Sequence, residues 1–114
     1  MKERRLSPRA TVDVDASYAI VKNPQSYHKA TVINIGEHGL CMTCRDKLSV
    51  DDQIQITIFI KLKNKIILNA RCVWISLDPK SNEYKIGLDI RGSQGSDLDN
   101  FLNFYSKQLT KQKK

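Results

Sequence analysis

The 114 residues suffice for one domain with a single core, and 40% apolar and 27% charged residues are ordinary for a soluble globular protein. Apolar runs fall well short of the roughly 18 residues that span a membrane. The basic opening MKERRLSPR is not followed by the apolar stretch of a signal peptide. We therefore expect a cytoplasmic protein without membrane insertion.

The net charge of +7 is concentrated at the two ends of the chain. Residues 1–9 contain four basic residues and one acid, residues 107–114 contain four lysines, and the remaining body is neutral. A nucleic-acid binder usually carries its basic stripe on the folded surface, so this distribution favours local anion capture or solvated tails. We expect residues 107–114 to form a frayed, solubilising lysine-rich tail.

Alternation of apolar and polar side chains predicts β-strands along most of the chain. In chain order the strands are TVDVDASYAIV, HKATVINI, LCMTCR, QIQITIFIKL, IILNARCVWISL and EYKIGLDI. NPQS is predicted as a loop after the first strand, NIGEHG as a glycine turn after the second, KNK as a hairpin connection and DPKSN as another turn. The alternation is clearest in the fourth strand, where Ile54, Ile56 and Ile58 share one face.

Helical spacing appears only after Gly95. Ser96 is a suitable N-cap, and Asp97 and Asp99 follow in the first turn, where the helix dipole favours anions. The apolar residues at helical spacing are Leu98, Phe101, Leu102, Tyr105 and Leu109. The predicted fold is therefore all-β: six or seven antiparallel strands in a barrel or sandwich, with a C-terminal helix that plugs or flanks it.

The three cysteines, an odd number, suit a reducing compartment. Cys41 and Cys44 form a C-x-x-C pair, but residues three apart on a strand point to opposite faces. A second ligand pair is missing nearby, and His28 and His38 stand apart. We expect structural cysteines and no metal site.

Catalytic chemistry has little support in the sequence. We find no serine or cysteine nucleophile with a neighbouring base and no phosphate-binding loop of Walker type. The paired carboxylates of Asp51 and Asp52 fall in a turn, where acidic residues commonly face solvent. We expect a protein that is not an enzyme and needs no cofactor.

Two motifs remain for a binding function. RRLSPR contains Arg5 and Arg9 in the spacing R-x-x-x-R, with Arg4 directly ahead. NIGEHG has the spacing N-x-G-x-x-G between the second and third strands. Taken singly, the first motif also fits a solvated N-terminus, and the second fits an ordinary bend with positive backbone angles.

Together and in this order, the two motifs resemble the PilZ domain family. Its hallmark is R-x-x-x-R followed by [D/N]-x-S-x-x-G at a strand turn, and Arg5, Arg9, Asn34 and Gly39 match it. Gly36 stands where the family has serine. The resemblance extends from about residue 3 to 106 and includes GLCMTC, ARCVWIS and YKIGLDI. It implies a barrel with its C-terminal helix over residues 10–106.

The resemblance implies a receptor for cyclic di-GMP, which transmits the second-messenger signal to a partner protein of unknown identity. Arginine forks pair well with phosphate oxygens or with guanine O6 and N7. Arg5 and Arg9 would clamp the ligand from a flexible arm, residues 1–9, that orders on binding. The residue at position 4 is associated in the family with binding one ligand or a stacked pair, and Arg4 is compatible with the pair.

Three further roles follow from the resemblance. Asn34 would bind a guanine edge, and Gly36 and Gly39 would let the backbone approach a flat ligand. Trp74, the only tryptophan, could stack on a guanine or belong to the core or its rim.

Two alternatives stay open. The chain could be a PilZ domain that has lost messenger binding and acts by protein contacts, which Gly36 favours and the arginine pair with Asn34 opposes. It could also be a small barrel that binds single-stranded nucleic acid. The neutral body and the apparent core positions of several aromatic residues oppose that reading.

Overall fold

The computed structural model describes residues 8–61 and 64–112, in which six antiparallel strands form a closed barrel followed by one helix. The elements are β1 (Ala10–Ile20), β2 (Asn23–Ile35), β3 (Gly39–Cys44), β4 (Gln53–Lys61), β5 (Asn64–Asp78), β6 (Glu83–Ser93) and α1 (Asp97–Gln112). Around the barrel the order is β1-β2-β3-β6-β5-β4, and β4 closes it by pairing with β1. The predicted all-β barrel with a C-terminal helix is confirmed, with six strands described.

The core lies inside the barrel because each strand turns every second side chain inward. Along β4 these residues are Ile54, Ile56 and Ile58, and along β6 they are Ile86 and Leu88, all of them buried. The apolar alternation in the sequence therefore identified the inner faces of both strands correctly.

Helix α1 adds Phe101 and Tyr105 to this core and packs against β1, β5 and β6. The helix begins one residue after Ser96, as predicted. The backbone N–H of Leu98 in its first turn donates to the hydroxyl oxygen of Ser93 at 3.0 Å, so Ser93 also caps the helix. The carboxylate of Asp97 accepts a bond from the backbone N–H of Ile67 in β5 at 2.9 Å. The start of the helix is thus attached directly to the barrel.

Two sequence expectations, one near each end of the chain, were wrong. NPQS is not a loop, because β2 already begins at Asn23; Ala19 pairs with Tyr27 and Ile20 with Asn23, so three residues bulge out within the strand pairing. The expected tail is also helical as far as it is described, since α1 extends through Gln112. Leu109 explains the extension, because it packs against the core near the end of the helix.

We expect Phe101→Ala to lower the free energy of unfolding by about 3–5 kcal/mol, since a fully buried aromatic ring leaves a cavity under α1. Leu98→Ala, one turn earlier and exposed, should change it by about 0.5 kcal/mol or less. Urea denaturation of the two variants measures the difference. Similar losses in both would mean that α1 does not hold its buried face against the barrel.

Candidate binding site on the outer face of the barrel

A β-bulge in β2 turns Asn34 to the outside of the barrel. Val32 pairs with Met42 and Asn34 with Cys41, so Ile33 is an extra residue on β2. Strict alternation would place Asn34 on the inner face together with Val32. The bulge reverses the alternation, so that Ile35, not Asn34, is buried beyond it.

A second bulge, in β5, does the same for Trp74. Cys72 pairs with Leu88 and Trp74 with Gly87, which leaves Val73 as the extra residue. Cys72 is fully buried, whereas Trp74 is 45% exposed. Trp74 therefore lies on the surface of the barrel and not in its core, a question that the sequence left open.

The indole of Trp74 lies directly over Gly87 of β6. A Cβ atom at position 87 would overlap the indole ring, with Trp74 Nε1 as its nearest neighbour. Among the amino acids only glycine leaves the space that the ring occupies here. The side chain of Trp74 is nevertheless 45% exposed, so part of the indole remains accessible to a ligand.

Arg9 reaches the same region from the start of β1. Because Ala10 pairs with Ile35, Arg9 lies beside the glycine turn that follows β2. Its Nη1 donates to Asn34 Oδ1 at 3.3 Å and to the carbonyl oxygen of Gly39 at 3.2 Å. The two sequence motifs are thus in direct contact.

The two glycines of the turn are required for different structural reasons, and neither has a positive φ angle. A Cβ atom at Gly36 would lie 3.1 Å from Arg9 Cδ, so this glycine makes room for the arginine side chain. A Cβ at Gly39 would lie 2.5 Å from the carbonyl oxygen of Leu88, so this glycine allows β3 to approach β6. The alternative interpretation of this motif, an ordinary bend with positive backbone angles, is therefore wrong for both positions.

These residues surround a cavity of about 290 Å³ on the outer face of β2, β3, β6 and β5. We call it the outer-face cavity. Its lining includes both bulge residues, Ile33 and Val73, together with Arg9, Asn34, Cys41, Trp74, Lys85 and Gly87.

The outer-face cavity is positively charged. Arg9 and Lys85 contribute the charged groups, and the described residues that line it include no carboxylate. Burial raises the pKa of the Cys41 thiol, while the positive charges of Lys85 and Arg9 act in the opposite direction. The positive charges of Arg9 and Lys85 are therefore both felt at Cys41, which lines the cavity. Such a positive potential suits an anionic ligand.

A larger concavity of about 870 Å³ lies elsewhere on the barrel and is chemically less specific. It mixes acidic residues, among them Asp15 and Glu83, with basic ones, among them Lys29 and Arg45. Opposite charges in one open groove favour no particular ionic ligand, so the smaller cavity is the better candidate site.

The structure brings together five of the seven residues predicted from sequence: Arg9, Asn34, Gly36, Gly39 and Trp74. Arg4 and Arg5 lie outside the described residues. Sequence reasoning missed Lys85, Cys41 and Gly87. The alternation in YKIGLDI places Lys85 and Gly87 on the outer face of β6, but their position beside Trp74 depends on the register of β5 against β6.

The two cysteines of the C-x-x-C pair lie on opposite faces of β3, as the sequence predicts. Cys44 belongs to the core, and Cys41 lines the outer-face cavity on the opposite side of β3. All three cysteines are free. Within residues 8–61 and 64–112, neither a metal-binding group of acidic, histidine and cysteine side chains nor a helix long and apolar enough to cross a membrane is found.

Several solved structures share this fold. The chain is similar to the inhibitor of motility MotI/DgrA of Bacillus subtilis, with a TM-score of 0.78, 19% identity, and coverage of 99% of this chain and 55% of that one. It is similar to the K. pneumonia MrkH–c-di-GMP complex, with a TM-score of 0.79, 13% identity, and coverage of 99% and 55%. The chain thus spans about half the length of these two proteins.

A third similar structure has nearly the same length as the chain. It is the PilZ domain of YcgR from Escherichia coli with c-di-GMP, with a TM-score of 0.74, 11% identity, and coverage of 96% of this chain and 94% of that one. Comparison with curated protein sequences finds no match. The family model described as "PilZ domain" matches residues 3–104, which include both motifs and all six strands, and the chain therefore belongs to the PilZ domain family.

Proposed function

We propose that this protein is a non-catalytic receptor for cyclic di-GMP and that the ligand binds at the outer-face cavity. The observation that carries the proposal is the direct contact between Arg9 and Asn34 at the edge of a cationic cavity walled by an exposed tryptophan. Membership of the PilZ family supports it, as do the solved YcgR domain and MrkH, both determined with c-di-GMP.

The residues match the chemistry of the ligand, which carries two phosphate charges and two guanines. Among the described residues, the guanidinium of Arg9 donates through Nη1, which leaves Nε and Nη2 for a phosphate or for the guanine O6 and N7 edge. Lys85 contributes a second positive charge across the cavity. The exposed part of the Trp74 indole can stack on a base, which is worth about 1–3 kcal/mol in proteins that bind single-stranded nucleic acid.

The outer-face cavity is small for the whole ligand. Its volume of about 290 Å³ is at the lower limit of typical ligand sites, so it accommodates one part of a cyclic dinucleotide rather than all of it. The remaining contacts in the proposed complex come from Arg4 and Arg5, on an N-terminal arm that orders over the ligand. Arg4 would then influence whether one ligand or a stacked pair is bound.

The messenger-bound protein would act through a partner protein, without catalysis of its own. The three buried free thiols are consistent with action in the cytoplasm, where thiols stay reduced. Gly36 lacks the hydroxyl of the family's serine, which supports the alternative of a PilZ domain that works by protein contacts alone.

Calorimetric titration with cyclic di-GMP tests the proposal, with GTP and single-stranded RNA as controls. Saturable binding of cyclic di-GMP alone is expected. Binding of RNA in preference to the dinucleotide would favour the nucleic-acid alternative. Absence of binding by a folded protein would favour the PilZ domain that has lost its messenger.

We expect Arg9→Ala to weaken cyclic di-GMP binding by about 30-fold or more, because removal of one partner of a charged hydrogen-bonded contact costs about 2 kcal/mol at least. Arg45→Ala removes the same charge from an exposed position outside the outer-face cavity and is the matched control. Titration calorimetry and thermal melts of both variants provide the comparison. Equal affinities would remove Arg9 from the site.

We expect Lys85→Gln to weaken binding about 5-fold at low salt, the equivalent of roughly 1 kcal/mol for a solvent-exposed ionic contact. The loss should shrink as salt screens the charge. Lys80→Gln, in the turn between β5 and β6, removes the same charge away from the cavity. If the two variants had the same affinity at every salt concentration, Lys85 would not contact the ligand.

We expect Gly36→Ser to tighten binding by about 10-fold, through one hydrogen bond to a charged group worth roughly 1.5–3 kcal/mol. The backbone at Gly36 tolerates an L-residue, and the atoms nearest to the new Cβ belong to the flexible side chain of Arg9. Gly36→Ala adds the Cβ without the hydroxyl and is the control. Serine and alanine variants of equal affinity would show that position 36 does not bond the ligand.

A further inference from the structure

We infer that helix α1 positions Arg9 for ligand binding through two side chains, Tyr105 and Gln112, which hold the backbone on both sides of it. This inference rests on the proposed function, because it concerns the regulation of the same site. Tyr105 and Gln112 are positioning residues that act through Arg9 and do not line the outer-face cavity.

Three hydrogen bonds define the attachment. The hydroxyl of Tyr105 donates to the carbonyl oxygen of Pro8 at 2.5 Å. The side-chain amide of Gln112 donates to the carbonyl oxygen of Thr11 at 2.5 Å, and its own oxygen accepts from the N–H of Thr11 at 3.0 Å. The residue before Arg9 and the second residue after it are thus both tied to α1.

Gln112 bonds Thr11 at an edge of β1 where no strand pairs with it among the described residues. On one side, Thr11 pairs with Asn34 of β2. On the other side, β4 pairs with β1 only between Ala16 and Ile20 among the described residues, so the edge of β1 at Thr11 has no neighbouring strand there. The primary amide of Gln112 exchanges two hydrogen bonds with Thr11, as a paired residue of an antiparallel strand would.

The helix can transmit this constraint because its other end is fixed. Phe101 is fully buried and Tyr105 nearly so, and Asp97 bonds the backbone of β5. The segment that carries Arg9 is therefore attached to a helix whose first residue is bonded to β5, two strands away from β1 around the barrel. Holding this segment reduces the conformational entropy that Arg9 loses when it orders on the ligand.

Gln112 is the sharper probe of the two, because its side chain is exposed and contributes little to the core. We expect Gln112→Ala and Tyr105→Phe each to weaken cyclic di-GMP binding roughly 3- to 10-fold, the equivalent of ordering one long side chain. Gln108→Ala, one turn earlier on α1, is the matched control and should leave the affinity unchanged. Thermal melts identify any variant whose loss comes from unfolding.

A double-mutant cycle separates positioning from a merely structural role. In an Arg9→Lys background, which keeps the charge but not the guanidinium fork, Gln112→Ala is expected to lose far less affinity than in the wild type. Equal losses in the two backgrounds, or no loss in either, would overturn the inference.

A ligand-independent readout distinguishes failure of the inference from failure of the proposed function. The Nε–H resonance of Arg9 in a ¹⁵N-resolved NMR spectrum should shift or broaden in Gln112→Ala and stay unchanged in Gln108→Ala. An unchanged signal in Gln112→Ala overturns the positioning role, whatever the protein binds. Wild-type protein that binds no cyclic di-GMP, with the signal shifted as expected, overturns the proposed function and leaves α1 as the element that orients Arg9.

Discussion

Closure of the barrel is the constraint on which the site depends. Because β4 pairs back onto β1, the inside is filled by alternate side chains of every strand, and a binding residue must come from the outer set. Asn34 and Trp74 each follow an inward residue by two positions and would belong to the inner set in a regular strand. Because of the two bulges, Asn34 and Trp74 lie outside the barrel while the core inside it stays filled.

The bulges also explain why the cavity lies where it does. They occur on β2 and β5, which flank β3 and β6 in the barrel, and the two extra residues themselves line the cavity. Between them, Gly39 allows the two middle strands to approach, and Gly87 accommodates the indole of Trp74. Two bulges and two closely packed glycines thus meet around one cavity, as expected for a functional site.

Much of the fold was predictable because the apolar alternation is strong, most clearly from Ile54 to Ile58. The meeting of Arg9 with Asn34 was predictable from the two motifs through family resemblance. The side of the sheet that Trp74 faces was not predictable. Period-two alternation from Cys72 would point Trp74 inward, and the bulge that reverses it has no clear signal in the sequence. Lys85 was missed for a related reason: its neighbours are determined by strand register, which is a long-range property.

The attachment of Thr11 to Gln112 links residues about one hundred positions apart in the chain. Contacts of such long sequence separation form late, because the intervening chain must first become ordered. During synthesis, β1 and β2 can pair long before α1 leaves the ribosome, but the segment around Arg9 reaches its final arrangement only afterwards. A nascent barrel would therefore pair its strands before α1 completes the core and fixes the segment around Arg9, so that translation products without α1 would leave this segment unattached.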